Sequence, residues 1–177
     1  MIFRFDGREP EIHESAYVSE TAQVIGDVVI GAGCYIGHGA ILRGDYGRIV
    51  IGKNSAIEEG VIIHAPPDSV NDIGERVTVG HGAILHGQRI GDGAVIGMGA
   101  VLSIFSEVGE GAIVAEGGIV RFQQSVPPDK VVGGNPAEIL RDVREGDRLL
   151  WDYGKQLYID LAAKYLEIGM ERIDPPA

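Results

Sequence analysis

Aliphatic residues recur at every sixth position along most of the chain. A helix would repeat its apolar face every 3.6 residues and a strand would alternate every two, so this period predicts a unit of one short strand and one turn. Three such units close a triangular coil of roughly 18 residues, and successive coils stack about 4.8 Å apart. The pattern therefore predicts an all-β solenoid with an inward aliphatic ladder, rather than an ordinary β-sandwich. The ladder positions are Ile12, Val18, Val24, Ile30, Ile36, Leu42, Ile51, Ile57, Ile63, Ile73, Val79, Leu85, Ile90, Ile96, Leu102, Val108, Val114, Val120, Val126 and Val132.

The register of this ladder changes at three places. Extra residues lie within 43–50 and within 65–72, and the step from Leu85 to Ile90 is one residue short. Insertions into a solenoid usually project as loops and often mark its functional face. We therefore expect loops at 43–50 and 65–72 beside the site.

The hexad pattern ends after Val132. Residues 133–137 (Gly-Gly-Asn-Pro-Ala) are typical of a break in regular structure, and residues 137–169 carry a broad apolar face. We expect a helix there, in two pieces, packed along the solenoid. The predicted domains are a β-helix over residues 1–135 and a helical appendage over residues 136–177.

Composition and charge narrow the possible partners. Glycine supplies 27 of 177 residues, which fits many tight turns, and the formal net charge is −11. A chain this acidic is a poor partner for nucleic acid or for an anionic membrane surface. The single cysteine, Cys34, permits no intrachain disulfide. Because there is no apolar leader or spanning segment, we expect a cytoplasmic protein that does not bind membranes.

Three of the five histidines cluster between residues 64 and 86. His64 and His86 each follow a ladder residue by one position and lie one coil apart, so both are predicted to point outward from the same face. His81 follows Val79 by two positions and falls near an adjoining edge. A metal site built from all three histidines of one chain would therefore be hard to close. A third ligand from a neighbouring subunit would complete the three-ligand set of a catalytic zinc site, repeated three times in a trimer.

Counting positions from the ladder residues in the same way predicts two columns of polar side chains that could meet across a subunit interface. One contains Arg43, His64 and His86, and the other contains His38, Glu59 and His81. The alternative is that these are ordinary surface histidines, and His13 and His38 are interpreted as structural.

Several motifs resemble those of the γ-class carbonic anhydrase-like hexapeptide proteins. They are Leu42-Arg-Gly-Asp45, Ile63-His64, the Gly-His-Gly-Ala-Ile-Leu-His-Gly segment at 80–87, and Gly-Met-Gly-Ala at 97–100. The resemblance implies a left-handed parallel β-helix with a C-terminal α-helix, assembled as a homotrimer. It also implies Zn²⁺ (with Fe²⁺ or Co²⁺ as alternatives) at each interface, bound by His64 and His86 of one subunit and His81 of the next. An Arg43–Asp45 ion pair would order that interface.

Two departures from the family pattern concern catalysis. Glu58-Glu59 stands where the family usually has Gln-Asp, and that Gln normally hydrogen-bonds the metal-bound hydroxide. Tyr46 stands where the active enzymes carry an acidic residue, and residues 57–63 lack their acidic loop. Tyr158 on the helix is a further candidate, with a core or interface role as the alternative. The candidate catalytic residues are Glu58, Glu59, Arg43, Asp45 and Tyr158.

The resemblance implies reversible hydration of CO₂ to bicarbonate by metal-bound hydroxide, with activity lowered by Glu58 and Tyr46. A second hypothesis is a hexapeptide acyltransferase that uses acetyl-CoA and a general-base histidine between subunits. A third is a metal-binding scaffold with little catalytic activity.

Overall fold

A computed structural model describes residues 1–173 and has the predicted three-sided solenoid, of about seven turns. Most strands are only two residues long, one to each side of a coil. The strands are β1 Ile2–Phe3, β2 Glu11–Ile12, β3 Tyr17–Val18, β4 Gln23–Ile30, β5 Tyr35–Ile36, β6 Ile41–Ile51, β7 Ala56–Ile57, β8 Ile62–His64, β9 Val70–Ile73, β10 Thr78–Val79, β11 Ile84–Leu85, β12 Arg89–Ile90, β13 Val95–Ile96, β14 Val101–Leu102, β15 Glu107–Val108, β16 Ile113–Val114, β17 Ile119–Val120, β18 Ser125–Val126, β19 Lys130–Gly133 and β20 Glu138–Asp142.

Parallel ladders run up each of the three faces. The first face carries β8, β11, β14 and β17, and the second carries β9, β12, β15 and β18. Both join through the long strands β4 and β6, which pass round a corner, so together they form one 12-stranded sheet. The third face is a separate 8-stranded sheet from β3 to β20.

The interior contains the aliphatic ladder that the hexad pattern predicts. Ladder residues from Val24 to Val132 are buried, and only Ile12 and Val18 at the first coil are half-buried. Each buried Val, Ile or Leu side chain contributes roughly 1.5–3 kcal/mol, and each coil covers the apolar surface of the next. The solenoid prediction is therefore confirmed.

The first insertion differs from its prediction. Residues 43–50 do not project as a loop but lie within β6, which continues from one face to the next. Outward and inward residues alternate on either side of a break at Asp45 and Tyr46, two successive residues that are not buried. Leu42 before the break and Ile49 and Ile51 after it are therefore all buried. In the second insertion, residues 65–69 form a turn closed by a hydrogen bond from Ser69 Oγ to the Pro66 carbonyl (2.7 Å), and β9 follows.

The prediction for the C-terminal segment was partly wrong. Residues 138–142 form β20, which pairs antiparallel with β19, and a single helix α1 spans Glu145–Ile168 instead of two helical pieces. The reversal lets β20 satisfy the free backbone groups of the last coil, which the hydrophobic pattern does not report. Residues 174–177 of the predicted appendage lie outside the described residues, and the division of the chain at residue 135 stays a prediction.

Helix α1 packs on the third face near its first coils. Its inner side meets Tyr17 and Tyr35 through Tyr158, Ala162 and Tyr165, and the rings of Tyr17 and Tyr165 stack with centroids 4.4 Å apart. No helix within residues 1–173 is both long enough and apolar enough to cross a membrane.

Candidate metal centre

His64 and His86 face each other on the first face of the solenoid. His64 ends β8 and His86 directly follows β11, and these strands pair with Ile63 opposite Leu85. The two rings stack at a centroid distance of 4.8 Å and an interplanar angle of 29°. His64 Nδ1 lies 2.9 Å from His86 Nε2. The predicted one-coil spacing therefore brings one ring nitrogen of each histidine within hydrogen-bond distance of the other.

Asp45 binds the other side of the His64 ring. Its Oδ1 lies 3.2 Å from His64 Nε2, and its Oδ2 accepts a hydrogen bond from Arg43 Nη1 at 2.6 Å. Burial alone would raise the pKa of Asp45, but the hydrogen bond and charge of Arg43, together with His64, lower it. An ionised Asp45 accepts a hydrogen bond from Nε2–H, so Nδ1 of a neutral His64 ring keeps its lone pair toward His86.

His86 is held in a setting that disfavours its protonated form. Burial lowers the pKa of His86, and the neighbouring His64 and Arg43 lower it further. A neutral imidazole is the form that binds metals. The expected Arg43–Asp45 ion pair is present, and Asp45 contacts His64 while the charge of Arg43 also acts on His86 directly.

His81 lies on the adjoining corner and is enclosed by two carboxylates. Its Nε2 is 3.1 Å from Glu58 Oε2, and its Nδ1 is 2.7 Å from Glu59 Oε2. The backbone N–H of His81 also donates to Glu58 Oε2 at 3.1 Å. Backbone hydrogen bonds from Gly60 to His38 and from Gly82 to Glu59 stack this corner, as the predicted second column requires.

Two tyrosines support these carboxylates, Tyr35 from β5 beneath helix α1 and Tyr158 from the helix itself. The Tyr35 hydroxyl donates to Glu59 Oε1 at 2.6 Å. Burial would raise the pKa of Glu59, but this hydrogen bond and nearby charges lower it. Tyr158 approaches Glu58, and burial, the negative charge of Glu58 and a hydrogen bond to it all raise the pKa of Tyr158. The structure thus brings Tyr158 to the candidate site.

Glu58 and Glu59 differ in environment although they are adjacent. The Glu58 residue is only 5% exposed, and burial raises its pKa despite the opposing effect of His81. Sequence reasoning missed Tyr35, although a signal was available. Tyr17 and Tyr35 precede ladder residues at equivalent positions one coil apart, where a large polar-tipped side chain needs a partner under the helix.

Other candidates lie away from the histidine pair. The Tyr46 side chain is 65% exposed, and its backbone N–H donates to Asp45 Oδ1. His13 bonds Ser15, and His38 bonds Ser19 Oγ at 2.6 Å, as expected for structural histidines. Within residues 1–173 of one chain, no group of three or more His, Cys, Asp or Glu side chains is arranged to hold a metal ion.

Comparison with known proteins places the chain in a family. A family model described as "Bacterial transferase hexapeptide (six repeats)" matches residues 9–44. The carnitine operon protein CaiE of Escherichia coli is 40% identical over 149 residues, covering 84% of this chain and 76% of CaiE. The Citrobacter koseri CaiE protein is also 40% identical, over 92% of this chain and 82% of its own length. The chain belongs to the CaiE family of hexapeptide-repeat proteins. The three-sided solenoid is accordingly a left-handed β-helix.

Solved structures share nearly the whole CaiE-family fold. A Bacillus cereus protein, provisionally named as an acetyltransferase, superposes with a TM-score of 0.92 at 29% identity over 95% of this chain and 98% of its own. A hexapeptide transferase family protein from Anaplasma phagocytophilum gives a TM-score of 0.88 at 30% identity, covering 93% of this chain and 98% of that one. The CaiE name refers to an operon, one structural name refers to an acetyltransferase, and the other refers to a hexapeptide transferase family.

Proposed function

We propose that this CaiE-family chain is a metal-dependent enzyme that hydrates CO₂ reversibly to bicarbonate. The observation that carries the proposal is the 2.9 Å approach of His64 Nδ1 to His86 Nε2, with Asp45 on the opposite nitrogen of His64. In the metal-free chain one hydrogen bond links these two nitrogens, and in the proposed site a cation takes the place of its hydrogen.

The donor set fits a first-row transition metal. Two imidazole nitrogens bound to one tetrahedral zinc lie about 3.3 Å apart, given Zn–N bonds of about 2.0–2.1 Å. The observed separation is close to this value. A carboxylate on the distal nitrogen is the usual partner of a metal-binding histidine, because it fixes the tautomer and raises the basicity of the ring. Imidazole ligands suit Zn²⁺, and also Fe²⁺ or Co²⁺.

The third protein ligand in this proposal is His81 from a second copy of the chain. His81 and the His64–His86 pair occupy different corners of one solenoid, so they meet only when subunits pack side by side. A three-fold homotrimer makes three equivalent interfaces and three such sites. In this arrangement His81 Nε2 would bind the ion instead of contacting Glu58. Glu59 would stay in contact with His81 Nδ1 and orient the ring.

A bound ion of this type supplies a nucleophile at neutral pH, because it acidifies water to a pKa of about 7. The chain's own residues then hold and orient the reactants. Arg43 keeps Asp45 ionised, Asp45 fixes His64, and Tyr35 and Glu59 fix the His81 ring. Glu58, with Tyr158 beside it, is the polar group left nearest the reacting oxygens.

Metal content and CO₂ hydration test this proposal together. Protein prepared without a polyhistidine tag and reconstituted with Zn²⁺, Fe²⁺ or Co²⁺ should hold about one ion per chain by elemental analysis. Stopped-flow CO₂ hydration should be measurable and should vanish in His86→Ala, with His13→Ala as the matched control that changes neither quantity. A chain that binds metal without hydrating CO₂ would instead be the metal-binding scaffold.

The second candidate is an acyltransferase that uses acetyl-CoA. The names of the family model and of both structural neighbours favour it, and on names alone it is the better supported of the two. One contact also supports it, because His81 with Glu59 on Nδ1 has the arrangement of a carboxylate-oriented general base. Acetyl-CoA binding by calorimetry, without bound metal, would favour acyl transfer. Metal binding without any acetyl-CoA affinity would favour hydration.

A further inference from the structure

The bend of β6 that carries Asp45 interrupts the strand ladders on both sides, although the Gly47 N–H still donates to the Ala65 carbonyl at 3.2 Å. The β4 ladder pairs Gly26 with Gly44 and resumes only at Val28 with Ile49. On its other side β6 pairs with β8 up to Arg43 and with β9 from Arg48. The carbonyl groups of Asp45 and Tyr46 therefore need donors from elsewhere.

Arg8 supplies those donors from a hairpin at the start of the solenoid. Phe5 and Arg8 exchange two backbone hydrogen bonds of 2.9 Å, and Asp6 and Gly7 close the turn with φ values of 49° and 73°. The Arg8 guanidinium donates through Nη1 to the Tyr46 carbonyl at 3.2 Å and through Nη2 to the Asp45 carbonyl. A planar guanidinium can hold two such acceptors at once in a fixed geometry.

This contact links Arg8 to the histidine pair through one residue. Arg8 fixes the backbone of Asp45, the side chain of Asp45 fixes His64 Nε2, and His64 Nδ1 then faces His86. The hairpin is anchored independently, because β1 pairs with Val24 and Ile25 of β4. A shift of this bend would move the carboxylate away from the imidazole even with the ladder intact.

We propose that Arg8 is a positioning residue for the metal centre, acting through the backbone of Asp45. The inference rests on the proposed metal-dependent function for its consequence in metal affinity. It rests on the described contacts alone for its effect on His64. The effect of Arg8 on His64 and its effect on metal affinity can be measured separately.

Arg8→Met is the test, and Arg4→Met is its matched control. Both changes remove one positive charge from the same segment, but among residues 1–173 the Arg4 side chain bonds only the exposed Glu9. In metal-free protein, proton NMR of ¹⁵N-labelled histidine should show a protected His64 Nε2–H in wild type and in Arg4→Met. Arg8→Met should broaden or lose this resonance, and Asp45→Asn identifies it by losing it too.

Cobalt affinity provides the second measurement, from the visible absorption of Co²⁺-substituted protein. Arg8→Met should weaken Co²⁺ binding about tenfold, the lower end of the range for outer-shell groups. It should add nothing in an Asp45→Asn background, because both changes then break the same connection. Arg8→Lys keeps one positively charged nitrogen that can donate to a carbonyl, so it should lose less Co²⁺ affinity than Arg8→Met. It also keeps the test available if Arg8→Met does not fold.

The outcomes separate this inference from the proposed function. An Nε2–H resonance unchanged in Arg8→Met would overturn the positioning role whether or not metal binds. Equal losses of Co²⁺ affinity with and without Asp45→Asn would overturn the route through Asp45. Absence of Co²⁺ binding in wild type would remove the proposed function, and loss of the resonance in Arg8→Met alone would still establish that Arg8 positions His64.

Discussion

At the scale of single residues, the neighbouring Glu58 and Glu59 have become chemically different groups. Tyr35 donates to Glu59 and, with nearby charges, lowers its pKa, whereas burial raises the pKa of Glu58. Glu59 is therefore suited to orient the His81 ring as a carboxylate. In the proposed reaction Glu58 would face the reacting oxygens, where an uncharged hydrogen-bonding side chain would suit them better than a carboxylate.

Replacing Glu58 by glutamine should raise CO₂ hydration. The amide keeps the shape of the side chain and can donate to a reacting oxygen without adding negative charge. One added hydrogen bond of about 1 kcal/mol corresponds to about a fivefold gain in rate, measured by stopped flow. Glu59→Gln is the control and should lower the rate because His81 loses its ionised partner. A rate unchanged in Glu58→Gln would show that residue 58 does not contact the reacting atoms.

The residues of the site differ in how far the sequence could predict them. Counting hexads was enough to place His64 beside His86 and to separate His81, because backbone register alone decides those positions. The contacts of Arg8 and Tyr35 could not be counted in this way. They depend on the reach of long side chains between coils and on a bend in β6 that breaks the repeat.

At the scale of strands and helices, two predictions were wrong: the helix expected over residues 138–142 and the loop expected at 43–50. Both errors arise because the spacing of hydrophobic residues does not report backbone pairing or bends. Each hexad buries a ladder side chain and many bury a second one, such as Ala40, Val61 or Ala83, so the hydrophobic pattern predicts strands wherever burial is periodic. Strand β20 is held by backbone pairing to the edge of the last coil, and Ile139 and Leu140 within it are both exposed. Its position therefore leaves no periodic trace. The insertion at 43–50 stays within β6 and breaks its alternation only at Asp45 and Tyr46, and a spacing count interprets the extra residues as a loop.

The start of helix α1 depends on Asp147. Its carboxylate accepts the backbone N–H of Arg144 at 2.9 Å and pairs with Arg141, and these contacts lower the pKa of Asp147 to about 2. Asp147→Asn should lower the thermal unfolding midpoint by a few degrees near neutral pH. Asp160→Asn removes the same charge from an exposed position on the helix and should change it little.

The pH dependence of this effect follows from the direction of the shift. Because the folded-state pKa is depressed from 3.8, the ionised contacts of Asp147 stabilise the fold fully above about pH 4. Their contribution declines as the pH falls through the folded-state value of about 2. The difference in midpoint between wild type and Asp147→Asn should therefore shrink over this acidic range. A difference that stayed constant would mean that the charge of Asp147 is not what matters.

At the scale of the whole molecule, the first face looks like a surface that another subunit covers. Ile62 and Ile84 point outward beside His64 and His86 and are 41% and 44% exposed in the single chain. Ile84→Glu should therefore convert the proposed trimer to monomers, measured by light scattering after gel filtration. Val70→Glu alters an equally exposed aliphatic residue on the second face and should leave the assembly intact. A trimer that survives Ile84→Glu would place the interface elsewhere.

Subunit mixing tests whether the proposed metal sites are shared between chains. His81→Ala and His86→Ala chains should each form homotrimers that bind little metal, since every interface lacks one ligand. After unfolding and refolding together in equal amounts, an interface is complete when the His81→Ala chain supplies His64 and His86 and its neighbour supplies His81. Interfaces in a cyclic trimer are directional, so random assembly completes about a quarter of them. Metal content and activity should recover to about that fraction of wild type.

Mixing His64→Ala with His86→Ala is the matched control and should restore nothing, because those two ligands must come from the same chain. Recovery absent from the first mixture, with mixed trimers confirmed by mass spectrometry, would refute a site completed by the neighbouring His81.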